Sequence, residues 1–272
     1  MRASWVLLAA AVVGAGCASV LGLPDGTLSF CSQSANQGHA YCEDFDVGDP
    51  STRWTFAEGT GGGAYAVAPG GESPPNLLDM SAPAQSGKTS ALAGFDKEFD
   101  DSTFVGLHIE FDVRFVTPGG APLTSTGGFL LIVDKSGGCI GIQASPAPDG
   151  GPGAGISAIV FQQPTSCSAL TGGGPGTAAG PGIITQITAA PSPNTWAHVV
   201  VVVAPDPKGL PGAGTLTFNI EGQPSSPTAV PLVGGTLIAA GIPLVGFAAE
   251  VNGPGGAFEV QYDNITIDLQ PD

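Results

Sequence analysis

Positive charge is scarce in this chain. Seven Lys and Arg face 23 Asp and Glu among 272 residues, for a formal net charge of −16 at pH 7. Nucleic-acid recognition needs clustered cations against phosphate, so that class of partner is excluded. Good helix formers are diluted: 43 Gly and 25 Pro, 68 residues together, make up a quarter of the chain, and these are the two worst residues for a helix interior. No Cys-x2-Cys pair occurs, and the three histidines (His39, His108, His198) are far apart in sequence, so no zinc-site spacing is present. No Gly-x-Ser-x-Gly nucleophile motif occurs either. Apolar residues are not lacking: they make up 42% of the chain, with a mean hydropathy of +0.26, which separates it from disordered sequences of similar Gly and Pro content. The balance predicts one all-β domain rich in turns.

A long apolar run occurs only at the start. Trp5–Val13 (WVLLAAAVV) follows Arg2 and has nine residues. That is about half of what spans a bilayer and has the length of a signal-peptide core. The next residues, Gly14-Ala15-Gly16-Cys17, resemble a bacterial lipobox, with Gly14 where an aliphatic residue is usual. Residues 1–16 are therefore expected to be a signal peptide. Cys17 is the expected lipidation site and 17–38 a short tether, with plain secretion as the alternative. The implied location is the cell envelope, as an outer-membrane or cell-surface lipoprotein, with the lipid as the only membrane contact.

Setting Cys17 aside leaves Cys31, Cys42, Cys139 and Cys167. Export leads to an oxidising compartment, and four cysteines allow three pairings. The nearest-neighbour scheme, Cys31–Cys42 and Cys139–Cys167, closes local loops and is the one expected here.

From Tyr41 onward, short β-branched or aromatic runs alternate with Gly, Pro, Asn and Asp clusters, the pattern of strands and turns. Strands are predicted near 41–47, 54–58, 63–68, 88–95, 104–116, 128–134, 139–144, 156–162, 183–189, 196–204, 214–221, 243–251 and 257–269. Segments 145–155 and 171–182 are too rich in Gly and Pro for regular structure and read as surface loops. Residues 236–240 read as a helical turn. The clearest strand is Phe104–Phe115, where Leu107, Ile109, Phe111, Val113 and Phe115 alternate with His108, Glu110, Asp112 and Arg114. In the last strand Phe258, Val260 and Tyr262 share one phase and Ile265, Ile267 and Leu269 the other. Keeping both sets inside requires a bulge at Asp263–Asn264.

Thr195–Gly222 contains TWAHVVVVV, a Gly/Pro turn and GTLTFNIEG. This is similar to the Trp-x-x-Val strand and following hairpin of laminin-G-like and concanavalin A-like jelly rolls, with Glu221 where Asp is usual. Tyr41–Asp46 followed by Trp54 resembles the first strand of such domains in exported bacterial proteins. Leu107–Phe115 resembles their central strand and Tyr262–Ile265 their closing strand. The resemblance covers roughly residues 41–269. It implies a two-sheet antiparallel jelly-roll sandwich over 39–272, with Trp54 and Trp196 at core positions. The fold hosts lectins, glycoside hydrolases, polysaccharide lyases and inert modules alike, so it does not fix function.

Family-16 hydrolases of this fold carry Glu-x-Asp-x-x-Glu on one strand. Here Glu110 and Asp112 fill the first two positions and Phe115 the third, so the general acid is missing. A lyase needs a base grouped with Tyr, His or Arg, and His108 and Arg114 flank the two acids. The ladder His108, Glu110, Asp112, Arg114 is therefore read three ways: a solvated face on which Asp112 and Arg114 offset each other, a glycan- or glycoprotein-binding surface, or a lyase site. With 3 Trp and 3 Tyr in the whole chain, aromatic platforms for sugar are few. A structural Ca2+ is the expected cofactor, held by Asp44 and Asp46 of the first strand and Asp263 of the last, since Ca2+ prefers carboxylate oxygens. Ser86–Thr89 (SGKT) lacks the leading Gly and the helix of a P-loop and reads as a turn. Asn264-Ile265-Thr266 matches a glycosylation sequon by coincidence. The leading functional reading is a non-enzymatic binding or adhesion domain. A carbohydrate-active enzyme, a lyase before a hydrolase, and a structural surface protein are the alternatives.

Overall fold

The computed structural model describes residues 29–87, 89–99, 104–133, 139–146, 155–161, 183–205, 212–220, 228–235 and 244–271. Fifteen strands follow in order: β1 Tyr41–Glu43, β2 Phe56–Thr60, β3 Ala64–Pro69, β4 Asn76–Ala82, β5 Ser90–Glu98, β6 Phe104–Phe115, β7 Gly127–Val133, β8 Cys139–Ser145, β9 Gly155–Phe161, β10 Ile183–Ala189, β11 Ala197–Pro205, β12 Gly212–Ile220, β13 Thr228–Gly235, β14 Leu244–Asn252 and β15 Phe258–Pro271. Every pairing is antiparallel. An eight-stranded sheet runs β13-β12-β11-β6-β15-β4-β3, with β1 also on β15, and a seven-stranded sheet runs β10-β9-β8-β7-β14-β5-β2. The two sheets pack face to face around one core as an antiparallel jelly-roll sandwich.

Period-two alternation builds the core. Leu107, Ile109, Phe111, Val113 and Phe115 of β6 are buried between the sheets, beside Val199, Val201 and Val203 of β11 and Phe247 of β14. Phe111, Phe247 and Tyr262 meet edge-on or tilted at 5.2–6.2 Å between ring centroids, the geometry the ring quadrupoles favour. The predicted bulge is present. The register of β15 on β6 shifts between Asp263 and Thr266, and Asn264 takes a positive φ of 51°. Phe258, Val260 and Tyr262 before it, and Ile265 and Ile267 after it, are all fully buried. The bulge also divides one edge of β15 between two neighbours: β4 pairs with Phe258–Tyr262, and β1 with Ile265–Ile267.

Two strands escape the sequence reading. β4 lies between Pro74-Pro75 and Pro83, punctuation that reads as loop, yet Leu78, Met80 and Ala82 face the core. β13 contains Pro231 and is tolerated because it is the outermost strand of its sheet, where a missing N–H costs no ladder bond. Of the loop expected at 145–155, Ser145 closes β8 and Gly155 opens β9, and the rest from 147 to 154, together with 171–182, the turn at 236–240, and residues 1–28 with Cys17, lies outside the described residues.

The segment before β1 is tied to that strand. Cys31 and Cys42 are bonded, with Cα atoms 5.7 Å apart, and Cys31 N donates to Asp44 Oδ2 at 2.9 Å. Cys167, and with it the pairing expected with Cys139, lies outside the described residues.

Candidate functional site

The polar ladder of β6 stands on the outer face of the eight-stranded sheet, opposite the buried set on the same strand. Register brings partners from both neighbours. His198 of β11 lies across from Asp112. On β15, Gln261, Asp263, Thr266 and Asp268 lie across from Arg114, Asp112, Glu110 and His108. The side chains join into one row. His108 Nε2 sits 3.0 Å from Glu110 Oε1, and His198 Nε2 sits 3.5 Å from Glu110 Oε2. His198 Nδ1 is 2.9 Å from Asp112 Oδ1. Asn264 Nδ2 donates to Asp112 Oδ2 at 2.6 Å, and Ser73 Oγ donates to Asn264 Oδ1. His39 Nδ1 contacts Asp268 at 2.7 Å, so each of the three sequence-distant histidines meets a carboxylate on this face.

The expected Asp112–Arg114 pairing does not form. Asp112 is only 8% exposed and is taken up by His198 and Asn264, which flank it on the neighbouring strands. Arg114 instead donates through Nε to Gln261 Oε1 at 2.8 Å and lies over the Trp196 ring, 4.6 Å from its centroid, a cation–π arrangement. Trp196 is therefore not a core residue. It precedes buried Ala197 and stands half-buried on the outer face, whereas Trp54 is in the core as expected. His198, Gln261, Asn264 and Trp196 are the members sequence reasoning missed. The signal was available in part: once β11 is paired antiparallel to β6, alternation puts His198 on the ladder's face.

The three tyrosines stand elsewhere. Tyr262 is fully buried in the core, and Tyr41 and Tyr65 pack edge-on against Trp54 and Phe95. Phe115, at the position of the missing hydrolase carboxylate, is fully buried.

Each acid of the donor set expected for Ca2+ is engaged by backbone amides. Asp44 accepts from the amides of Cys31 and Asp46, Asp46 from that of Asn76, and Asp263 from those of Ser73 and Asn264. Among the described residues no group of three or more His, Cys, Asp or Glu is arranged to hold a metal. Burial, and after it the neighbouring carboxylates of Asp112 and Asp46, push the Asp263 carboxyl up to about 7 against the pull of the Ser73 and Asn264 amides. A Cβ at Gly71 would come within 2.5 Å of Asp263 Oδ2, so glycine there is what lets the Ser73 turn close over the carboxylate.

At the Arg114 end the outer face runs into a cavity of about 230 Å3, walled by residues 116–118 and 121–124 on one side and 257–259 on the other. Glu259 stands on β15 two residues before Gln261, on the same face. Its carboxyl is raised by burial and by Asp79, and pulled down by Arg114.

No family model matches the chain, and no curated protein matches it. Among solved structures it is similar in fold to the alginate lyase vAL-1 from a Chlorella virus, at 13% identity and TM-score 0.49 over 85% of this chain and 99% of that one. Similarity extends to the cellulose-induced protein Cip1, at 12% identity and TM-score 0.48 over 84% and 96%. It extends also to a legume lectin-like domain from Entamoeba histolytica, at 10% identity and TM-score 0.44 over 75% and 87%.

Proposed function

We propose that this chain is an exported, lipid-anchored envelope protein whose sandwich binds neutral glycans, free or on glycoproteins, through the outer face of the eight-stranded sheet. The observation that carries this reading is Trp196. An aromatic ring, held under Arg114, stands at one end of a row of carboxylate, imidazole and amide groups. Sugar recognition uses this combination: an aromatic surface for the C–H face of the ring and planar polar groups for the hydroxyls. Acidic polysaccharides fit poorly. Arg114 is the one Arg or Lys on that face among the described residues, and Glu110, Asp112 and Asp268 would repel a uronate. The anchor is supported by Gly14-Ala15-Gly16-Cys17 behind a short apolar core.

One observation favours the lyase reading. His198 is held through Nδ1 by Asp112 at 2.9 Å, with Nε2 3.5 Å from Glu110 Oε2, an oriented imidazole of the kind a general base needs. Against it stands the shortage of positive charge to neutralise a uronate carboxylate.

A glycan array probed with the chain from residue 18 onward separates these readings. Retention of neutral oligosaccharides, lost in Trp196→Ala with an unchanged melting curve, is the expected result. An array on which nothing is retained, or on which Trp196→Ala binds as well as the native chain, would remove this face from consideration. Ultraviolet absorbance from unsaturated products on uronate polymers would establish the lyase instead.

A further inference from the structure

We infer that the cavity between the 116–124 segment and the start of β15 is a terminal subsite for one neutral pyranose ring, so that the face reads the end of a glycan rather than its middle; this rests on the glycan-binding reading above. The strip formed by β6 and β15 passes through the rows His108/Asp268, Glu110/Thr266, Asp112/Asp263 and Arg114/Gln261. Its next member is Glu259, whose carbonyl accepts from Val116 N at 3.0 Å, and Glu259 belongs to the cavity wall. A chain lying along the strip therefore reaches the cavity after Trp196 and Arg114.

The size suits one unit. About 230 Å3 falls below the roughly 300–1,000 Å3 of pockets that take larger ligands. The walls are held before any ligand arrives. Asn194, two residues before Trp196, accepts from Thr117 N at 2.9 Å through Oδ1 and donates to Thr117 O at 2.8 Å through Nδ2. Thr117 Oγ1 donates to Ala121 O at 2.6 Å. On the other side Ser125 Oγ donates to Ala257 O at 2.8 Å. The cavity wall and the aromatic platform are thus clamped to each other through Asn194.

The chemistry selects a neutral diol. Pro118, Pro122 and Leu123 give an apolar wall for C–H groups, and the Glu259 carboxylate accepts from two adjacent hydroxyls. No Arg or Lys lines the cavity to receive an anionic sugar.

The test uses the full chain with Cys17→Ser. Methyl glycosides of glucose, galactose, mannose and xylose are titrated into the millimolar range, and the amides of Ala121, Leu123 and Thr124 are followed by NMR. At least one glycoside should shift these amides. Glu259→Gln should weaken that binding at least about tenfold, the effect of losing a charged acceptor. Thr124→Trp, which fills the mouth from an exposed position, should abolish it, while Trp196→Ala leaves monosaccharide binding in place. No shift with any glycoside, or shifts that persist in Thr124→Trp, overturns the subsite. Oligosaccharide binding lost in Trp196→Ala but intact in Thr124→Trp overturns the subsite alone and keeps the face. Monosaccharide binding here without any oligosaccharide binding overturns the face alone.

Discussion

Tyr262 shows how a single polar atom constrains this core. Its hydroxyl sits 2.7 Å from the carbonyl oxygens of both Phe129 and Ala248, tying β15 to β7 and β14 across the sandwich. One proton is shared between two carbonyl acceptors, and removing it takes that donor from both. Tyr262→Phe should therefore cost about 1–3 kcal/mol, measured by urea unfolding, and a loss below about 0.5 kcal/mol would show that water or a neighbour replaces it. Two aspartates make a pH argument at the same scale. Asp96 on β5 and Asp263 on β15 are each pushed up to about 7, mainly by burial. Their folded values lie above the unfolded value near 4, so their contribution to stability is full below pH 4 and is lost as pH rises through 7. The melting temperature should fall between about pH 4 and 7, and Asp96→Asn should flatten that fall. Parallel curves for the native chain and Asp96→Asn would mean that Asp96 ionises without penalty.

Among the elements, the first strand depends most on one pair. Glu43 presents 1% of its side chain to solvent and takes a two-pronged contact from Arg53, Nε at 2.7 Å and Nη2 at 2.6 Å. The same carboxylate accepts from Phe45 N at 2.9 Å. Arg53→Ala would strand a buried negative charge. The expected cost is about 3 kcal/mol, the low end for breaking a buried pair because Arg53 itself keeps 31% of its side chain exposed. Chemical denaturation checks it, and adding Glu43→Gln should recover part of the loss. If the double variant is no more stable than Arg53→Ala, the stranded charge is not the cause. The bulge in β15 is the other element-level device. It turns Asp263 and Asn264 toward Ser73 and Asp112 while both apolar phases of the strand stay inside, which an unbroken strand could not do.

For the whole molecule, the formal charge and the N-terminus act together. A chain at −16 is repelled by an anionic membrane surface, so electrostatics offers no attachment. A lipid on Cys17 would supply one. Cys17→Ser should move the protein from the membrane fraction to the soluble fraction, and intact mass should fall by the acyl groups. An unchanged distribution and mass would leave plain secretion.

Much of this architecture was legible from local pattern. Alternation in Leu107–Phe115 marked the central strand, because a sheet with one buried face requires period two. The phase break at Asp263–Asn264 marked the bulge for the same reason. The Cys31–Cys42 bond was legible because short loops close easily. β4 was not, because its flanking prolines look like loop until β3 and β15 are in place to pair with it. Site membership was only half visible. The ladder on β6 could be read from one strand, but His198, Gln261 and Asn264 join it through register between strands 80 or more residues apart. The destinations of Arg114 and Asp112 could not be read at all. In sequence they are neighbours of opposite charge, two residues apart on one face. In the sheet each has a better partner across a strand, because cross-strand side chains stand closer than those at i and i+2. Composition and periodicity determined that this chain is all-β and where most of its strands run. Only tertiary pairing decided which polar groups meet, since hydrogen bonds depend on distances that exist only once the strands are in register.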